Sequence, residues 1–312
     1  MDAAVLHSRL SDWFDDAARD LPWRRPSRTP WGVLVSEFML QQTPVSRVLP
    51  VWTEWMERWP SPADLAAAPS GDALRYWGRL GYPRRALRLH AAATAVVVEH
   101  GGVVPSSYDE LLALPGVGTY TAAAVAAFAF GRRETVVDTN IRRVHARLVG
   151  GAALPAPTLT AAETRRAAAL LPDDDADSVR WNVSVMELGA LVCTARTPDC
   201  ERCPVLDRCA WVAAGKPAPT YVPKGQAWAG TDRQVRGAIM HILRHTEHPV
   251  PRQLIHHRPV DLHLGGPAHG ASVGFEKLHA LNAPPEQLER ALNGLLTDGL
   301  AEETAHGIRL PV

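Results

Sequence analysis

All four cysteines of the chain, Cys193, Cys200, Cys203 and Cys209, fall inside one stretch of seventeen residues. A cytosolic protein rarely uses cysteine for disulfides, so a tight group of four reads as a metal or cluster site. Their spacing is C-x6-C-x2-C-x5-C. Structural zinc favours two CxxC pairs separated by a longer loop, which is absent here. Four thiolates in one compact loop suit a [4Fe–4S] cubane, with zinc as the alternative. The opening MDAAVLHSRLSDWF carries acids and lacks an apolar signal core, and no apolar run reaches membrane-spanning length, so a cytoplasmic protein is expected.

At 312 residues the prior is two domains or three. From Leu6 to Val192 the sequence reads as short helices punctuated by Gly, Pro, Ser or Asp, with no period-2 alternation long enough for a sheet. In the first helix Leu6, Leu10, Trp13, Phe14 and Ala17 form one apolar stripe. AGKPAPTYVPKGQAWAGTD, after the last cysteine, reads as a linker. Three further helices are expected over DRQVRGAIMHILRHT, PRQLI and PPEQLERALNGLLTDG, and two extended runs turn at His306-Gly307. The stretch RPVDLHLGGPAHGASVGFEKLHALN shows no period and is expected to be an irregular insertion. Nine of thirteen histidines lie at or beyond His241, including His256, His257, His263 and His269, at spacings too irregular for a metal motif.

Lys+Arg and Asp+Glu both number 33, so net charge does not advertise a polyanion partner. Arginines nevertheless cluster at 24, 25 and 28, at 84, 85 and 88, and at 132, 133, 142, 143 and 147, while acids gather in DDDAD at 173–177. Arg142, Arg143 and Arg147 share one helix, where they line a phosphate groove or simply face solvent.

Two local motifs carry chemistry. LPGVGTYT at 114–121 places Gly116 and Gly118 in a turn between helices. Glycines there let successive N–H groups aim at one phosphate, helped by the following helix N-terminus; the bland reading is a plain αα-hairpin. Asp138 in VVDTN stands before Thr139 and Asn140, as an N-cap or as an acid facing a site.

Taken in order, the LPGVG hairpin, the Asp138 segment and the four-cysteine loop resemble the helix-hairpin-helix DNA glycosylases of the endonuclease III superfamily, over about residues 5–210. SEFMLQQTPV at 36–45 looks like the adenine-glycosylase signature of the MutY family, and LPWR at 21–24, GRLGYPRRALRLH at 78–90 and VMELGA at 185–190 agree with it. The resemblance implies a mainly α fold: a six-helix barrel plus an iron–sulfur domain, followed by a small winged-helix-like α+β module. It implies a core at 1–212 containing the cluster loop 193–209, a linker at 213–231 and the module at 232–312. Activity is expected to be removal of adenine opposite 8-oxoguanine or guanine in double-stranded DNA, by a monomer acting at the bacterial nucleoid without membrane contact.

Roles follow by position. Adenine leaves only when a ring nitrogen is protonated, so an acid of raised pKa is required, and Glu37 in the apolar VLVSEFML takes that part. The oxocarbenium-like sugar left behind needs a carboxylate, as in glycoside hydrolysis, and Asp138 supplies it as electrostatic partner or transient nucleophile. Tyr120 supports that intermediate; Asn140 orients water or Asp138. Family members that nick the strand carry lysine where Tyr120 stands, so a monofunctional enzyme is implied. Trp23, Arg24, Leu40 and Glu187 match adenine-pocket positions. Gln41, Gln42, Thr43 and Tyr82 match the DNA-contacting, stack-filling stretch, and Gly116 and Gly118 the phosphate grip; Cys193, Cys200, Cys203 and Cys209 match the cluster ligands.

The chain departs from the family at Pro83, where a second tyrosine is common, and at Thr139, where glycine is usual. Residues 233–312 are too short for the Nudix-like domain that reads 8-oxoguanine in many members, and resemble the shorter tail of actinobacterial-type members. Rival readings are a T/G or U/G mismatch glycosylase, a bifunctional glycosylase-lyase, and a non-catalytic DNA-binding protein.

Overall fold

The computed structural model describes residues 3–222, 225, 227–257 and 269–312. The helices, in chain order, are α1 (Ala3–Ala17), α2 (Pro30–Leu40), α3 (Val45–Arg58), α4 (Pro62–Ala67), α5 (Ser70–Trp77), α6 (Arg84–His100), α7 (Tyr108–Ala113) and α8 (Thr119–Phe130). They continue as α9 (Thr139–Leu148), α10 (Ala161–Leu170), α11 (Asp175–Leu191), α12 (Ala210–Ala213), α13 (Asp232–Arg244), α14 (Arg252–His256), α15 (His269–Ala280) and α16 (Pro285–Thr297). Short 3₁₀ turns lie at Pro22–Arg24, Cys200–Arg202 and Leu206–Arg208.

Local signals account for most starts. Ser61 and Thr160 form capping boxes with Asp64 and Glu163, and Ser107 and Asp174 accept bonds from the N3 amides of α7 and α11. The acidic run 173–177 is thus the cap and first turn of α11, where carboxylates oppose the helix dipole.

Two compact units partition the chain: Met1–Glu37 with Val104–Lys224, and Phe38–Val103 with Gly225–Val312. The boundary falls inside α2, between Glu37 and Phe38. These units interleave along the sequence. In the first, Leu6 and Leu10 of α1 pack with Ala124 and Ala127 of α8, Ile141 and Val144 of α9, and Trp181, Val185 and Leu188 of α11. Alanine lines α8, so its neighbours approach closely.

In the second unit Trp55 of α3 meets Trp59 and Trp77 edge-on at centroid distances of 4.8 and 5.6 Å. The chain then ends as expected from its hairpin signal: β1 (Glu302–Thr304) and β2 (Gly307–Arg309) pair antiparallel, and Val250 bridges to Ile308. Gly307 has φ 131°, and a Cβ there would lie 2.3 Å from the Val250 carbonyl oxygen, so only glycine fits. Helices closed by this hairpin match the winged-helix-like expectation. They pack on α5, where the Gly71 amide donates to Pro311 O at 2.8 Å and Arg244 Nε to Leu74 O at 2.9 Å.

One expectation fails. The irregular insertion contains a regular helix, α15, over its second half; residues 258–268, with His263, lie outside the described ones. Glycine concealed α15 because it scores as a helix breaker. Here Gly274 is a contact residue: a Cβ on it would stand 2.8 Å from Ile242 Cγ1 on α13. Close packing of two helices replaces the missing propensity.

Candidate active site and cluster loop

The first unit brings Arg24, Glu37, Tyr120 and Asp138 into one electrostatic group. Glu37 rides on an α2 that is buried almost all round, among Val33, Leu34, Val35 and Phe38. Burial pushes its carboxyl up to about 7; the Asp138 charge adds to this, while the Tyr120 hydroxyl and the Arg24 guanidinium oppose it. Burial likewise lifts Tyr120 well above its ordinary value, with Glu37 and Asp138 adding to the effect. Tyr120 and Asp138 are enclosed on most sides yet keep part of their surface open, as a pocket that admits a ligand requires.

Asp138 is an N-cap, and the capping geometry aims it. With φ −92° and ψ 179° it precedes α9, and its Oδ1 accepts from the Ile141 amide at 2.6 Å. Asn140 Nδ2 donates to the other oxygen at 2.8 Å. Burial raises the Asp138 pKa, but these bonds and Arg143 work to keep it ionised. The two roles weighed from sequence, cap and site acid, coexist in one rotamer.

Glu187 is fully buried on α11. Arg19 donates to it through Nε and NH2, both at 2.7 Å, and through its amide at 3.0 Å; Arg24 NH2 adds a bond of 3.0 Å. Burial alone would raise the Glu187 pKa, but the two guanidiniums hold it at about 2. Arg19 had no sequence signal: one arginine in AARDLP looks like surface. Its partner leaves Arg24 NH1 buried without a hydrogen-bond partner, and Glu37 Oε2 is in the same state. Buried polar atoms are normally satisfied, so a donor and a carboxyl oxygen left bare near each other mark a ligand position. Trp23, on the 3₁₀ turn beside Arg24, is buried.

The arginines of α9 do not line a groove. Arg143 Nε donates to Cys193 O at 2.8 Å, and its NH2 donates to Asn140 Oδ1 at 2.8 Å and Gly189 O at 2.6 Å. Arg147 donates to Ala153 O, Thr194 O and Ala195 O. Arg142 is paired with Glu163 at 2.8 Å. A helix packed on both α11 and the cysteine loop turns Arg143 and Arg147 onto the carbonyls of Gly189, Cys193, Thr194 and Ala195. Gly189 makes the approach possible, since a Cβ there would lie 2.7 Å from Asn140 Cβ. Alanine at 189 is therefore expected to displace Asn140 and with it Asp138, costing about 1–3 kcal/mol by overpacking and slowing base release. Denaturant melts and single-turnover rates measure both effects, and a variant matching wild type in each would refute the coupling.

The four cysteines line one small cavity together with Arg147, Val192, Pro198, Leu206 and Trp211. Among the described residues no three thiols, imidazoles or carboxylates converge to hold a single ion. Four thiols lining one cavity suit a [4Fe–4S] cluster. Burial pushes the Cys203 thiol up to about 11, and the other three thiols add to this; the positive charge of bound iron reverses that preference. When present, the cluster ties four points of the loop together.

The hairpin also takes its expected form. Gly116 has φ 78°, no side chain caps α8, and a Cβ on Gly118 would meet open space. Nothing in the packing demands Gly118, which leaves the α8 N-terminus open to an anion.

In the second unit, Leu40 ends α2 and is partly buried, with Gln41 following. Gln42 and Tyr82 adopt φ of 57° and 47°, and Tyr82 is 48% exposed. Such conformations cost about 1–3 kcal/mol each and persist where surrounding contacts impose them. Arg85 braces their neighbours, donating to Gln41 O, Thr43 Oγ1 and Gly81 O, although it read from sequence only as part of a basic cluster. Thr43 is turned inward, against the expectation of DNA contact: its hydroxyl accepts from Arg85 NH2 at 2.9 Å and donates to Leu80 O at 3.3 Å.

Known proteins match this arrangement. The family described as HhH-GPD superfamily base excision DNA repair protein matches residues 35–169, and the iron–sulfur binding domain of endonuclease III matches 193–209. Over 298 residues, 96% of this chain and 93% of its relative, the sequence is 49% identical to an adenine DNA glycosylase of Mycolicibacterium smegmatis. An adenine DNA glycosylase of Homo sapiens is 41% identical over 67% of this chain and 39% of its own length. Among solved structures, a thermostable thymine-DNA glycosylase superposes with a TM-score of 0.61 at 29% identity, covering 68% of this chain and 97% of the other.

Proposed function

Because the chain belongs to the adenine DNA glycosylase family of the HhH-GPD superfamily, we propose that it removes adenine opposite 8-oxoguanine or guanine in duplex DNA. It is an enzyme with an endonuclease III-type iron–sulfur loop. The proposal adds its substrate pairing, its mechanism, and its action as a monomer in the bacterial cytoplasm at the nucleoid. It also takes 1–212 as catalytic core, 213–231 as linker and 232–312 as appended module.

The observation that carries the mechanism is the bare pair, Arg24 NH1 and Glu37 Oε2, beside Tyr120 and Asp138. A flipped adenine presents ring nitrogens that accept hydrogen bonds. Glu37, neutral in part near pH 7, donates its proton to one of them, and the electrons of the C1′–N bond leave with the base. Positive charge then grows on the sugar. Asp138, fixed by Ile141 and Asn140, provides the opposing charge, and Tyr120 supports the same region. Water adds to C1′ and loses a proton, completing hydrolysis. Tyr120 has no amine, so no Schiff base and no strand cleavage follow.

Arg19 and Arg24 occupy both Glu187 oxygens, so Glu187 acts on the base by holding Arg24. In the second unit, Gln41, Gln42 and Tyr82 are the groups that enter the stack, and the Gly116–Gly118 hairpin grips a phosphate. Full-length protein assayed side by side on A/8-oxoguanine, A/G, T/G and U/G duplexes tests the reading. Release of adenine fastest opposite 8-oxoguanine is expected; faster release of thymine or uracil would replace it with the pyrimidine mismatch assignment, and borohydride trapping of a covalent adduct would overturn monofunctional chemistry.

A further inference from the structure

Arg79, His241, His245 and Lys277 gather in the second unit, and none of them is paired with a carboxylate among the described residues. His241 and His245 stand one turn apart on α13 with ring centroids 4.3 Å apart. His245 Nδ1 engages the His241 carbonyl at 2.7 Å, and its Nε2 has no partner among the described residues. The rings are seated by glycine: a Cβ on Gly270 would lie 2.5 Å from His245 Cδ2, and one on Gly274 3.2 Å from His241 Cδ2. The two glycines of α15 are thus notches for two imidazoles, and the same helix carries exposed Lys277. Exposed Arg79 comes from the turn after α5. Arg244, also near, is turned inward onto Leu74 O.

Burial disfavours charge on His241, and His245, Lys277, Arg79 and Arg244 all repel it further, which brings its pKa down to about 4. Arg79 and Lys277 stand near this neutral imidazole without a carboxylate partner among the described residues, and an arriving anion offsets their mutual repulsion. Two features favour a polyanion over a small one. The basic groups come from three separate segments, and Arg79 and Lys277 are exposed, so they form a surface and not a closed cage. Arg79 also lies three residues from Tyr82, the exposed, positive-φ residue that the proposed function sends into the DNA stack.

We propose that Arg79, His241, His245 and Lys277 form a phosphate anchor for the duplex backbone, and that α13 and α15 serve the enzyme as a backbone grip. The inference rests on the DNA glycosylase reading and assigns the C-terminal residues a role that the core motifs do not.

The test uses the full chain as Lys277→Gln, as the double variant His241→Gln with His245→Gln, and as Lys277→Arg. Fluorescence anisotropy on a mismatch duplex across a KCl series reads Kd and its salt dependence. Lys277→Gln is expected to weaken binding roughly three- to tenfold and to lower the slope of log Kd against log[KCl] by about one, as loss of a phosphate contact does. Lys277→Arg is expected to keep wild-type values, and adenine release at saturating enzyme to stay unchanged in all three. Wild-type affinity and slope in both glutamine variants would overturn the anchor, as would inorganic phosphate binding at the histidines with duplex affinity untouched by the substitutions. A wild-type protein that binds duplex but releases no adenine would sink the enzymatic reading alone, and the salt slopes would still decide on the anchor.

Discussion

Glutamine at position 37 is expected to slow adenine release at saturating enzyme by about 10²–10⁴-fold while leaving duplex affinity nearly unchanged. The expectation follows from the proton, since glutamine matches the shape of Glu37 and cannot act as an acid. Wild-type release should also fall as pH rises through about 7, because the buried carboxyl then ionises. The variant's residual rate should be flat over that range. Stability supplies an independent check. The folded pKa lies above the ordinary carboxylate value of 4.5, so proton binding favours the folded state. That contribution is fully present below about 4.5 and is lost as pH rises through about 7. Glutamine carries no ionising group, so its melting temperature should equal wild type at low pH and exceed it at pH 8. A variant that lost activity and melting temperature together at pH 8 would show that Glu37 is structural.

Asp138→Asn is the companion case. Asparagine is as good an N-cap as aspartate, so α9 should keep its start and the melting temperature should move little. What disappears is the charge that faces the developing cation, and base release should fall by a similar order. Near wild-type release would remove Asp138 from the mechanism, whatever its role in α9.

How much of this was readable in advance depends on how local the signal is. The cysteine loop, the Gly116–Gly118 turn, the helix starts and the terminal hairpin were legible because short-range backbone chemistry dictates them. Glu37 and Asp138 stood out as candidate acids only through the family resemblance, since an acid in an apolar helix and an acid before a helix start each have a bland reading. Three side chains were not legible in their actual roles. Arg19, Arg85 and Arg143 act by donating to carbonyls or carboxylates 168, 44 and 50 residues away in the chain. An arginine that satisfies buried acceptors is indistinguishable, in sequence, from one in solvent. Helix α15 was missed for the opposite reason: Gly270 and Gly274 weaken the local signal, and what replaces it is contact with α13.

Arg85→Met is expected to be the most destabilising surface-to-core misreading of all, by roughly 3–5 kcal/mol, as removal of one partner from a buried charged arrangement costs. In the second unit its NH1 donates to Phe38 O, Met39 O and Gln41 O at 2.9, 3.0 and 2.5 Å, and its NH2 to Thr43 Oγ1 and Gly81 O at 2.9 and 3.1 Å. These carbonyls include the free end of α2, which has no further turn to satisfy it. Burial lowers the Arg85 pKa only to about 10, so the guanidinium remains charged near neutrality. Methionine fills much of the same volume, which separates the effect from a simple cavity, and leaves five acceptors without this donor. Lysine keeps the charge but lacks the planar fork, so Arg85→Lys should fall between the two. Because the same guanidinium braces Gln41, Thr43 and Gly81, next to Gln42 and Tyr82, the lysine variant should lose duplex affinity even where it remains folded. Equal denaturation midpoints for wild type and Arg85→Met would mean that water satisfies the α2 carbonyls, and that the positive-φ residues are held by something other than Arg85.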